Sequence, residues 1–126
     1  MGPIYTDITL SNPLRPQDKA MTVNALVDTG ALHLCIPQHV ANQLGVEVLE
    51  MREVTLADGE RQRVPYVGPI KLTFDNRNCF GGAMVLGDLP LLGAIPMEDF
   101  DIVVHPAKLT VVVNPENPNI PGSVAR

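Results

Sequence analysis

The chain has 126 residues, a length that suits one domain. Hydrophobic residues make up 45% and charged residues 18%, enough for a modest core and too apolar for a disordered chain. Nine Lys+Arg against fourteen Asp+Glu give a net charge of -5 with no basic stripe, which argues against a nucleic-acid partner. Aromatic residues are 4% and Trp is absent, so aliphatic side chains must fill the core.

Ile4–Leu10 alternates, with Ile4, Thr6, Ile8 and Leu10 on one side, and reads as a half-buried strand. Ser11–Lys19 is rich in turn formers, and Met21–Val27 is a second strand forming a hairpin with the first. That strand runs into Asp28. An isolated carboxylate between the apolar runs Ala25–Val27 and Leu34–Ile36 requires a reason, because burying an unpaired charge is costly. Pro37 and Gly45 bracket a short helix with Val40, Ala41 and Leu44 on one face. Val46–Leu56 is strand-like. Ala57-Asp-Gly-Glu60 then predicts a tight two-residue hairpin turn whose polar arms, with Arg52, Arg61 and Arg63 as exposed charges, stand away from the core.

Pro69–Phe74 is a further strand ending in the turn Asp75–Asn78, and Phe80–Leu86 follows with a bulge or bend expected at Gly81-Gly82. Leu89–Ile95 is apolar around Gly93, and Pro96–Phe100 suits one helical turn. Glu98, Asp99 and Asp101 read as a solvated helix end. Ile102–Val104 and Leu109–Val113 are the last strands. Pro115, Pro118 and Pro121 make residues 114–126 an edge or extended tail and not a central strand, because proline cannot donate to a sheet ladder. Many short strands with regular turns indicate an all-β barrel or sandwich with one or two short helices.

Cys35 and Cys79 are the only cysteines and are expected reduced and packed. No signal peptide or membrane span is visible, so the expected location is cytoplasmic, with no membrane partner. His33, His39 and His105 are widely spaced and show no metal-ligand pattern, so neither a metal nor another cofactor is expected.

Asp28-Thr-Gly30 on its own is a short motif. Its setting carries more. Leu26-Val-Asp-Thr-Gly-Ala31, the later hairpin Val54–Tyr66 and the segment Leu91-Leu-Gly93 before a helix together resemble the single-domain, retropepsin-like aspartic proteases. The resemblance covers roughly residues 4–113, and places the protease domain at 1–113 with the tail at 114–126. It implies a retropepsin-like acid-protease β-barrel with a flap hairpin. It also implies a homodimer acting on a peptide or protein substrate, in which Asp28 is the catalytic carboxylate, Thr29 braces the loop across the subunits and Gly30 permits the tight turn. Ala31, Leu32 and His33 would lie at the substrate, with Asp58 and Gly59 near the flap tip.

The chain holds a single Asp-Thr-Gly, so the second carboxylate has to come from another copy. Viral members carry a polar residue directly after the alanine. Leu32 stands there in this chain, followed by His33, and keeps open a second reading: a non-catalytic binding or assembly module of the same fold.

Overall fold

The structure is a computed structural model that describes residues 2–125. Its strands are β1 (Tyr5–Ser11), β2 (Met21–Val27), β3 (Leu34–Ile36), β4 (Glu47–Thr55), β5 (Arg61–Phe74), β6 (Arg77–Val85), β7 (Leu91–Leu92), β8 (Ile102–His105) and β9 (Thr110–Val113). Two short helices are α1 (Gln38–Leu44) and α2 (Ala94–Phe100).

The alternation of β1 places Ile4, Thr6, Ile8 and Leu10 inside, as the period of two requires. β1 pairs antiparallel with β2, register Tyr5↔Leu26 to Leu10↔Met21. The sheet order is β1-β2-β7-β3-β6-β5-β4, and β1 also pairs with β5 at Thr9↔Thr73. This last pairing closes β1, β2, β7, β3, β6 and β5 into a barrel and leaves β4 outside it, attached to β5 alone. β8 and β9 form a separate antiparallel pair.

Residues 61–67 and 69–74 belong to one fourteen-residue strand. Its first half pairs with β4 as the flap, and its second half with β6 in the barrel. The irregularity lies on β5 and not at Gly81-Gly82: Val67 faces Ala83 while Ile70 faces Gly81, so Gly68 and Pro69 together oppose Gly82. The hairpin tip also differs from a two-residue turn. Gly59 donates to Leu56 O at 2.9 Å and Leu56 to Glu60 O at 2.8 Å, which makes a three-residue loop, Ala57–Gly59. Gly59 alone takes the positive φ, +85°, which a Cβ would disfavour.

Successive residues of the short central strands serve two apolar clusters. Leu34 and Ile36 of β3, Ala83 and Val85 of β6 and Leu92 of β7 enter the barrel core with Phe100. Their neighbours Cys35, Met84 and Leu91 face the other way and pack under Val54 and Tyr66 of the flap. Both faces are covered, hence the unbroken apolar runs. α1 buries Val40, Ala41 and Leu44, and Gly45 at φ +66° ends it. Buried Asn12 donates to the Leu44 and Gly45 carbonyls at 3.1 and 3.3 Å, satisfying acceptors the helix end leaves free. Cys35 and Cys79 are buried free thiols.

The tail turns at once, Asn117 N–H donating to Asn114 O at 2.9 Å, bends on through Ile120, and is docked. Asp101, where α2 ends, accepts hydrogen bonds from the side chains of Asn114 (3.0 Å) and Asn117 (2.8 Å) and from the backbone of Gly122 (2.8 Å). Fully buried Arg77 donates to the Asn117 carbonyl, and Asn76 to that of Pro118 at 2.9 Å. Asp101 is thus a tail anchor, and not the freely solvated helix end expected. Its three donors hold its carboxyl below the ordinary value, first among them Asn114.

Candidate active site

β2 delivers Asp28 to the barrel end. Val27 pairs with Leu92, and the Asp28 N–H donates to the Leu92 carbonyl at 3.0 Å. The loop then closes on itself: Ala31 N–H reaches Asp28 O at 3.1 Å, and Gly30 N–H donates to Asp28 Oδ1 at 3.0 Å. A Cβ on Gly30 would come within 3.2 Å of the same oxygen, so a side chain there would crowd the carboxylate.

The other side of the loop is held by α2. The first N–H groups of a helix have no partner inside it. Here Ala94 and Ile95 spend theirs on the carbonyls of Ala31 and Leu32, both at 2.8 Å. Gly93 makes the approach possible, because a Cβ there would lie 2.4 Å from His33 O and 2.7 Å from Leu32 C. Leu91-Leu-Gly93 therefore lies against the Asp-Thr-Gly loop by backbone contact.

Asp28, Gly30, Ala31, Leu32 and His33 open onto a cleft of about 750 Å³. Its facing wall is the flap arm Arg52–Ala57, and its floor carries the side chains of the second apolar cluster, Cys35, Met84 and Leu91. Thr29 is exposed and lies off the cleft lining, as do Asp58 and Gly59 at the hairpin tip, where Asp58 accepts from Glu60 N–H at 2.9 Å. Leu32 is 63% exposed beside the carboxylate.

Arg52 is not a free flap charge. Its guanidinium lies 3.8 Å from the Tyr66 ring centroid, pairs with Glu50 at 2.7 Å and meets His33 Nε2 at 3.4 Å. An aromatic face on the adjacent strand and a neighbouring imidazole draw it inward. Burial, and then the Arg52 charge, lower the pKa of His33. Burial, and then the nearby Asp28 carboxylate, raise that of Cys35, which keeps this thiol protonated and a poor nucleophile.

Arg52, Met84 and Leu91 reach the cleft, though the sequence marks Leu91 only as part of Leu91-Leu-Gly93, Arg52 only as an exposed flap charge and Met84 not at all. Met84 and Leu91 had a signal, the out-of-phase positions of apolar runs. Arg52 had none, since its partners are remote in the chain. His33, His39 and His105 lie on the loop after Asp28, on α1 and on β8, and no cluster of three metal-ligating side chains occurs among the described residues.

A closed β-barrel that presents Asp-Thr-Gly at one end beneath a hairpin is a retropepsin-like fold. The aspartyl protease family model matches residues 16–122, and the chain belongs to that family. In fold it is similar to the retroviral protease-like domain of Ddi1 from Leishmania major, with a TM-score of 0.60 at 12% identity over 91% of this chain and 90% of that one. No curated protein matches the chain. No helix among the described residues is long and apolar enough to cross a membrane.

Proposed function

We propose that the protein is an aspartic endopeptidase that works as a homodimer, with Asp28 of each copy forming the catalytic pair. The observation that carries this reading is the carboxylate of Asp28, presented on a backbone-braced loop to a cleft roofed by the flap. The chain has one such motif, so a two-fold axis through the loop is the economical source of the second carboxylate.

Two carboxyls about 3 Å apart cannot both ionise and share one proton. The ionised member takes a proton from a water as it attacks the scissile carbonyl, while the protonated member donates to the carbonyl oxygen. The tetrahedral intermediate then collapses, the C–N bond breaks and a proton passes to the leaving nitrogen. Apparent pKa values belong to the pair. In the dimer, the exposed hydroxyl of Thr29 would hydrogen-bond across the axis. Leu32 and His33 would touch the substrate, with Asp58 and Gly59 closing over it from the flap tip.

The two thiols, free and buried, suit a reducing, cytoplasmic setting. The competing reading, a non-catalytic module of the same fold, draws support from the exposed Leu32 at the loop. A peptide-library digest separates the two. The wild type is expected to cleave, and Asp28→Asn to lose cleavage by at least the roughly 10²-fold typical of a removed acid–base group while its fold is retained. Equal cleavage by both proteins would sink the Asp28 assignment.

A further inference from the structure

One side-chain cluster joins the active-site loop to the flap. His33 follows Asp28 on the loop, Arg52 stands on β4, and Tyr66 stands on β5. Arg52 stacks on the Tyr66 ring at 3.8 Å, and Glu50 holds its Nε at 2.7 Å, so the guanidinium is oriented from two sides. The His33 ring meets Tyr66 edge-on, at 5.9 Å between centroids and 70° between planes. Tyr66 in turn needs Gly82 beneath it, since a Cβ there would fall 2.5–2.7 Å from the ring carbons and the hydroxyl.

Arg52 Nη1 lies 3.4 Å from His33 Nε2, and a hydrogen bond between them requires one tautomer. Arginine only donates. His33 Nε2 must therefore be the acceptor, with the imidazole neutral and its proton on Nδ1. An imidazolium has no lone pair to offer. One proton removes the bond and sets a cation against the guanidinium.

We propose that His33 is a positioning residue: while neutral it ties the flap to the active-site loop through Arg52, and on protonation it releases the flap. The inference rests on the protease reading, in which the flap covers bound peptide. Carboxylates also surround His33. Asp99 of α2 borders the small crevice on one side of it, Asp28 and Glu53 line the cleft on the other, and Glu50 pairs with Arg52. The Tyr66 phenol and the Cys35 thiol complete the titratable groups around it. Burial and Arg52 prevail over the carboxylates and bring the titration below 6.5. Release accordingly comes as pH falls through that lowered value.

The test is hydrogen exchange of the flap amides in the full chain, from above pH 6.5 to below the lowered value, corrected for intrinsic exchange. Wild-type flap protection should fall by at least about fivefold, the factor carried by one ordinary hydrogen bond, because the donor here is a guanidinium. His33→Gln keeps an acceptor and cannot titrate, so its protection should stay high at every pH. His33→Ala should be loose throughout. Wild-type protection that ignores pH, or Gln behaving as Ala, overturns the proposal.

Arg52→Met keeps an apolar stem on Tyr66 and removes the donor. The His33 imidazole, followed by NMR, should then titrate closer to 6.5 than in the wild type, and an unmoved titration also overturns the proposal. None of these readouts needs cleavage, so they stand apart from the Asp28→Asn result. In the active enzyme the kcat/KM profile should carry an inflection at the His33 titration that His33→Gln lacks.

Discussion

Asp28 is steadied by backbone. Its amide is tied to Leu92, its carboxylate receives the Gly30 N–H, and no Lys or Arg salt bridge reaches it among the described residues. Gly93 is the residue that lets the support come so close. Gly93→Ala would put a methyl group 2.4 Å from a backbone oxygen, which only a shift of the chain can relieve. The expected cost is about 1–3 kcal/mol in denaturant unfolding, as for overpacked sites, with a loss of cleavage from the displaced loop. Asp28 and its loop are legible in sequence because motif and strand are contiguous. Arg52 is not, because Tyr66 and His33, the groups that stack on it and bond it, lie 14 and 19 residues away.

Among the elements, the flap hairpin was visible from Asp58-Gly59, but its loop length was not. Asp-Gly suits a two-residue turn and equally a three-residue loop that uses only the glycine's positive φ, and the cross-strand register chooses between them. The tail shows the opposite case. Its prolines argue against a central strand, yet its anchors are invisible locally, since Asp101 binds groups 13, 16 and 21 residues further on. Those donors favour the ionised carboxyl, so its folded pKa lies below the unfolded one. The stabilisation is complete above the unfolded value, near 3.8, and is lost as pH falls through the lower folded value. Exchange protection at Asn117–Gly122 should persist at mildly acidic pH and disappear below that range. Asp101→Ala should loosen the same segment at every pH.

At the scale of the whole molecule, the barrel closes only because β1 pairs on both edges, with β2 along its length and with β5 at Thr9–Ser11. Dimerisation belongs to the same scale. If folded copies associate through the active-site end, mass action ties stability to concentration. The Tm of wild-type protein should then rise as concentration is raised across the dissociation range, with sedimentation giving twice the chain mass, 13.6 kDa. A Tm independent of concentration together with a monomer in sedimentation would favour the non-catalytic module.

The strands, the short helices and Asp28 were open to reading from the chain alone, because period, turn chemistry and a contiguous motif act over a few residues. The stretch Ala25–Pro37 is a good measure. Its isolated carboxylate between two apolar runs already demands a partner, whereas the division of Leu34 and Ile36 from Cys35 appears only in the packing. Three-dimensional packing alone decided that Cys35 floors the cleft, that Arg52 turns inward onto Tyr66, and that Asp101 and Arg77 hold the tail. Each of these depends on contacts between distant segments, which local preference cannot specify.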